Sequence, residues 1–160
     1  MSSQFEIIDF SPEYAADFRR LNLEWIEKYF EVEGLDTEQL SDPHKTFIQP
    51  GGAIVLGLYN GEVVACCGLV KHDESVYEIS KMAVIPKYHG RGFGREILSR
   101  IIVIAIGCGA QKLEIISNTV LGPAIALYKS VGFSEVAFNS DAYDRGNIAL
   151  ELDLSMFDVD

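Results

Sequence analysis

The chain has 160 residues, 48% of them apolar, with a formal net charge of -11. That length suits one domain able to bury a sizeable core, expected to span residues 1–160. The acidic balance argues against nucleic acid, whose phosphates call for a basic face, and no apolar run approaches the ~20 residues of a membrane span, so neither is expected as a partner.

In chain order, Gln4 to Phe10 reads as a first strand. Ser11-Pro12-Glu13 then starts a helix, since serine can cap and proline suits the first turn. Tyr14, Phe18, Leu21, Trp25 and Tyr29 keep helical spacing, and Gly34 is expected to end the segment. Asp36 to Leu40 predicts a short second helix, stopped before Pro43. The period then changes. Ala53–Tyr59 and Val63–Val70 are β-rich runs joined by Asn60-Gly61, a dipeptide that favours a tight hairpin. A third strand runs from Val76 to Val84 and stops at Pro86, which cannot donate to a ladder.

Helical spacing returns over Arg95–Ala105, ended by Gly107 and Gly109. Lys112–Ile116 reads as a strand, and Leu121–Ser130 as a helix closed by Gly132 as a left-handed cap. Phe133–Phe138 and Ile148–Leu154 are the last strands. The order β-α-α-β-β-β-α-β-α-β-β predicts an α/β arrangement on a mixed sheet.

Three cysteines, Cys66, Cys67 and Cys108, fit neither a disulfide framework nor a metal site. They read as small buried hydrophobes, and no metal is expected. The start of the chain, Met1 to Glu6, lacks the features of a secretory signal, so a cytoplasmic protein is expected.

The chemistry concentrates between Ser80 and Arg95. Here a strand and Pro86 are followed by glycines 90, 92 and 94 and then a helix. A helix start offers unpaired N–H groups and about half a positive charge. Glycine lets backbone approach a phosphate. Lys81, Lys87, Arg91, Arg95 and Arg100 fall within twenty residues, with Glu96 the only acid among them. The combination describes a phosphate cradle. Neither the P-loop string nor the Gly-x-Gly-x-x-Gly spacing of dinucleotide sites is present.

Three strings resemble the GNAT N-acetyltransferase superfamily. They are Glu78-Ile79-Ser80-Lys81-Met82-Ala83-Val84 with Pro86, His89-Gly90-Arg91-Gly92-Phe93-Gly94, and Asn118-Thr119 through Ala124 to Leu127-Tyr128-Lys129-Ser130-Val131-Gly132-Phe133. Their order and separations match the family over roughly residues 54–154. The resemblance implies a mixed, mostly antiparallel sheet of about seven strands flanked by about four helices, and acetyl-CoA as acetyl donor. It implies that backbone groups of Met82 and Val84, with Ala83 between them, pair with the pantetheine arm. The N–H groups of Arg91 to Arg95 would hold the pyrophosphate, and Asn118 would bond the pantetheine. His89 stands where the family usually carries Arg or Gln. An imidazole carries full charge only below about pH 6.5, so weaker or more pH-sensitive cofactor binding is expected.

Acetyl transfer to an amine needs a base for the ammonium, donors for the oxyanion and an acid for the leaving thiolate. The resemblance implies Tyr128 as the acid and Glu78 as the base, with the N–H of Met82 or Ala83 toward the oxyanion. Strand alternation puts Glu78, Ser80 and Met82 on one face. Attack on the thioester is expected to be direct, with no acetyl-cysteine. Trp25, Tyr29 and Phe30 form a candidate acceptor wall. Arg145, after Tyr143-Asp144, could take a substrate carboxylate bidentately, which suggests an amino acid, whereas the acidic balance suits a polyamine-like cation. The leading expectation is an N-acetyltransferase for a small-molecule amine. A non-catalytic acyl-CoA sensor and a protein or peptide N-acetyltransferase are the alternatives. A homodimer is expected because twofold assemblies are commonest.

Overall fold

The first strand, β1 (Phe5–Asp9), leads through a tight turn at Pro12–Tyr14 into α1 (Ala15–Tyr29) and α2 (Gly34–Ser41). The computed structural model describes residues 4–140 and 143–155. A single wide helical turn, His44–Ile48, brings the chain to the antiparallel meander β2 (Ala53–Tyr59), β3 (Glu62–Lys71) and β4 (Val76–Val84). Then come α3 (Phe93–Gly107), β5 (Lys112–Ser117), α4 (Gly122–Ser130), β6 (Ser134–Val136) and β7 (Ile148–Asp153). Seven strands and four α-helices are thus described, as the motif order implies.

The strands form one sheet in the order β1-β2-β3-β4-β5-β7-β6. Only β4 and β5 run parallel; every other neighbour pair is antiparallel. Each face carries its own core. On one, α3 buries Ile97, Leu98, Ile101 and Ala105 against Val55, Leu69 and Leu113, and α4 adds Ile125 and Tyr128. On the other, α1 buries Phe18, Leu21 and Ile26 against Phe47, Ile54, Leu56 and Cys66. Burying each large aliphatic side chain stabilises by about 1.5–3 kcal/mol, and this fixes both helical layers to the sheet.

Four local expectations change. Gly34 opens α2 instead of closing α1; the helix ends at Phe30, whose extended backbone (φ -144°) turns the chain away. A reciprocal pair starts α2, the Glu33 carboxylate accepting the Asp36 N–H and Asp36 accepting the Glu33 N–H. Ser11 does not cap: its hydroxyl bonds Glu13, and Pro12 begins a tight turn that precedes α1. Cys108 is exposed, while Cys66 and Cys67 are buried.

The fourth change bears on function. The β3–β4 register pairs Cys66 with Ala83 but Gly68 with Ser80, so Lys81 and Met82 together oppose Cys67. Lys81 has a positive φ of 60°, which makes this a β-bulge. The extra residue reverses the alternation. Tyr77 and Ile79 face the α3 core before it; Met82 and Val84 pack on that core after it, while Ala83 turns to α1. Glu78 and Met82 therefore point to opposite faces, against simple alternation.

Candidate active site

The parallel pairing of β4 with β5 covers only Val76–Glu78 against Lys112–Glu114. Beyond it the strands part, because β5 follows β7 up to Ser117 while the bulge bends β4 away. From Ile79 to Val84, β4 has no strand neighbour on its β5 side. The opening is a cleft whose walls include Trp25, Phe30, Glu78, Ser80, Met82, Asn118, Tyr128, Tyr143 and Arg145.

At the far end of β4 lies the glycine turn. Gly90 and Gly92 adopt φ of 82° and 83°, and a side chain at either would meet open space, so conformation is what demands glycine there. At Gly94 the demand is proximity: an added Cβ would sit 3.3 Å from Leu127 of α4. The first bond from the α3 entry runs from the Glu96 N–H to the Gly92 carbonyl. The N–H groups of residues 90 to 95 have no acceptor among the described residues. A neighbouring hollow lined by Met82, Val84, His89, Gly90, Gly92, Phe93 and Leu127 opens onto them. Backbone donors at a helix start, beside apolar walls, fit a phosphate with an attached arm.

The cations around this turn are less free than their density suggested. Arg91 lies over the rings of Tyr59 and Tyr88, and Arg95 donates to the Ser130 hydroxyl at 2.7 Å. Lys81 is buried on the other face of the sheet. His89 donates from Nε2 to the Val84 carbonyl at 2.8 Å. The neutral ring therefore turns Nδ1 outward as an acceptor, and the Val84 carbonyl already has a partner. Asn118 is engaged at both ends of its amide, accepting from Val120 N–H and donating to the Arg145 carbonyl at 2.6 Å. That ties the β5–α4 turn to the loop before β7, and one amide hydrogen stays unused.

Within the cleft, Glu78 accepts a hydrogen bond from His72 Nε2 at 2.8 Å. The Glu78 bond, with the nearby carboxylates, holds the proton on His72 and raises its pKa. Tyr128 is 7% exposed, and burial raises the pKa of its phenol. Its hydroxyl has no hydrogen-bond partner among the described residues and is not sealed from solvent, so it opens on the cleft as a neutral donor. Burial pushes the Cys66 thiol up to about 12 and raises Cys67 well above the usual thiol range, which leaves neither as a thiolate.

A charged cluster forms the wall opposite. The Arg145 fork is bidentate to Asp36, at 2.7 and 2.8 Å, and reaches Glu33 at 3.5 Å. Lys81 bonds the same Asp36 at 3.0 Å and the Tyr143 hydroxyl at 2.6 Å, and Tyr143 donates on to Gln39. Burial pushes the Asp36 pKa up, but the Arg145 bond, the Glu33 N–H and Lys81 outweigh it and hold the carboxyl at about 2. Burial lowers the pKa of Lys81 against the pull of Asp36. The guanidinium also sits 4.2 Å from the Tyr143 ring centre and under 6 Å from those of Trp25 and Phe30. Asn22 anchors the Trp25 indole at 2.9 Å.

The structure thus gathers Glu78, Tyr128, Met82, Asn118, Trp25 and Arg145 around one cleft. Two expected acceptor contacts change. Arg145 presents its fork to Asp36 and Glu33 instead of to the opening. Tyr29, on the last turn of α1, is 48% exposed and lines a neighbouring groove, while Phe30, the next residue, lines the cleft. Sequence reasoning missed His72, Asp36 and Glu33. No spacing rule links residues 36 and 145; only the bulge at Lys81 and the return of the last loop bring them together. The His72–Glu78 contact was nearer to hand, because a hairpin places residues at its base side by side.

The sheet is split beside β4, with the glycine turn of the α3 entry at one end of the opening and Glu78 and Tyr128 among its walls. The chain belongs to the acetyltransferase (GNAT) family, whose model matches residues 17–133. Among curated relatives, N-alpha-acetyltransferase RimI of Mycobacterium tuberculosis is 34% identical over 107 residues, covering 66% of this chain and 62% of that protein. The uncharacterized N-acetyltransferase Rv2669 of the same organism is 26% identical, over 77% of this chain and 69% of that protein. A match of 42% identity to a Mycobacterium leprae protein, ML0378, covers 67 residues and only 18% of that protein's length. Among solved structures, a GNAT acetyltransferase of Staphylococcus aureus has a TM-score of 0.86 at 19% identity, covering 94% of this chain and 99% of that one. The yncA acetyltransferase of Salmonella typhimurium, solved with acetyl-CoA, has a TM-score of 0.77 at 18% identity, covering 95% of both chains. No described helix is long and apolar enough to cross a membrane.

Proposed function

We propose that the protein transfers the acetyl group of acetyl-CoA directly to the amine of a small molecule. The observation that carries this reading is the single cleft holding the Glu78 carboxylate and the Tyr128 hydroxyl beside the unpaired edge of β4. The unpaired N–H groups of residues 90 to 95 suit the pyrophosphate, and the β4 edge at Met82–Val84, where only the Val84 carbonyl is taken by His89, suits the pantetheine. Acetyl-CoA supplies the activated thioester. Glu78 takes a proton from the acceptor ammonium, and the Met82 N–H faces the oxyanion, since Ala83 pairs with Cys66 on the β3 side. Tyr128, kept neutral by burial, protonates the departing thiolate.

Charge narrows the acceptor. Lys81 and Arg145 are balanced by Asp36 and Glu33, so no free cation in this cluster is left for a substrate carboxylate. Glu78 remains, flanked by the aromatic rings of Trp25, Phe30 and Tyr143. This favours a cationic, polyamine-like acceptor over an amino acid, with Arg145 shaping the wall instead of clamping a ligand. The likeness to RimI favours a second reading, a peptide α-amine as acceptor. A thiol-release assay with acetyl-CoA across polyamines, amino acids, aminoglycosides and peptides tests both. Turnover with polyamines is expected. Turnover confined to peptides selects the second reading, and acetyl-CoA binding without turnover on any amine selects a sensor. The proposed setting is a cytoplasmic homodimer, tested by cell fractionation and light scattering.

A further inference from the structure

We propose that His72 is a positioning residue that orients the Glu78 carboxylate and gates its basicity through its own charge, an inference that rests on the acetyl-transfer reading. His72 follows the last residue of β3, and its N–H bonds the Val76 carbonyl at 3.0 Å, which closes the hairpin to β4. The hairpin sets the imidazole beside Glu78, two residues into β4, with Nε2 at 2.8 Å from Oε1. Glu78 borders two openings, the acetyl-transfer cleft and a second hollow on the outer side. His72 borders only the second and is 46% exposed at its side chain, against 16% for Glu78. One carboxylate oxygen is therefore tied to the ring, Oε2 stays available to the acceptor, and the ring exchanges protons with water outside the cleft.

The chemistry follows from charge. In the proton step the N–H bond of the acceptor ammonium breaks and an O–H bond forms at Oε2. The nitrogen lone pair is freed, and the carboxylate becomes an acid that later releases its proton to water. An imidazolium at 2.8 Å stabilises the carboxylate over the acid and opposes this transfer. A neutral imidazole keeps the hydrogen bond without the full charge. The gate opens as pH rises past the His72 pKa, which lies above the usual value because Glu78 holds the ring proton. The groups facing His72 are Glu78 on β4, Asp73 on its own turn and Glu114 on β5. Lys112 pairs with Glu114 and with Glu151 of β7, and Lys71, the chain neighbour of His72, pairs with Glu74, so both cations are already balanced by acids.

The test compares kcat/KM of the wild type and His72→Gln between pH 6 and 8 with the best acceptor amine. Glutamine keeps a donor but cannot ionise. The variant-to-wild-type ratio is expected to fall about tenfold as pH rises, because only the wild type is suppressed at low pH. A ratio independent of pH overturns the gate, since a purely structural loss scales every point alike. In parallel, an NMR titration of His72 is expected to show its pKa falling in Glu78→Gln, and an unchanged value overturns the pairing. A wild type inactive with every amine defeats the acetyl-transfer reading and the gate with it. An active wild type with a flat ratio defeats the gate alone.

Discussion

Tyr128 and His89 show how much a single side chain's surroundings decide. Tyr128 is a phenol held neutral by burial, with its hydroxyl open to the cleft. Tyr128→Phe keeps the ring packing against Phe133 and removes only the proton. It is expected to lower kcat about 100-fold while leaving the acetyl-CoA KM nearly unchanged; steady-state kinetics check this, and an unaltered kcat removes Tyr128 from the mechanism. His89 spends its Nε2 proton on the Val84 carbonyl, so the neutral ring has no donor left for a phosphate. His89→Arg restores a permanent cation and is expected to tighten acetyl-CoA binding at pH 8. Calorimetry checks this, and an equal dissociation constant sinks it. The identity of both residues was legible in the motifs. Their protonation was not, because it depends on partners four to five residues away in a bent strand or across the sheet.

At the scale of elements, the cleft exists because β4 contains a bulge and β5 parts from it. Periodicity placed the third strand correctly at Val76–Val84. It could not place the bulge, since nothing in a lysine announces a positive φ. The bulge then determines which face each residue meets, sending Met82 toward the α3 core and Glu78 away from it. The glycine turn was readable for the opposite reason: positive φ at residues 90 and 92 is what glycine tolerates at no steric cost. Gly92→Ala is expected to strain the α3 entry by about 1–2 kcal/mol and so to weaken acetyl-CoA binding about tenfold or more. Gly107→Ala, at a helix-end position without positive φ, serves as the control in the same binding measurement. Equal affinities for the two variants would contradict the cradle.

For the whole molecule, the Lys81–Asp36–Arg145–Glu33 cluster joins α2, β4 and the loop before β7. Asp36 titrates at about 2 in the folded protein, against 3.8 ordinarily, so its stabilising term is present above pH 3.8 and is lost as pH falls toward 2. That shift corresponds to roughly 2 kcal/mol at neutral pH. Burial lowers the Lys81 pKa at the same time, so the pair gains less than Asp36 alone suggests. Removing one partner is costlier than the pair is worth. Asp36→Asn leaves the Lys81 charge buried and is expected to cost about 3–5 kcal/mol, or about 10 °C in Tm. Thermal denaturation checks this, and a variant as stable as the wild type would contradict it.

The amino-acid sequence by itself determined the strand and helix order, the glycine turn before α3 and the family, because those depend on periodicity, glycine and proline, which act locally. Only the tertiary structure decided that Arg145 faces Asp36, that Phe30 and not Tyr29 enters the cleft, and that His72 stands behind Glu78. Each of these is set by a long-range register or a bend, where one residue more or less in a strand reverses the face a side chain meets.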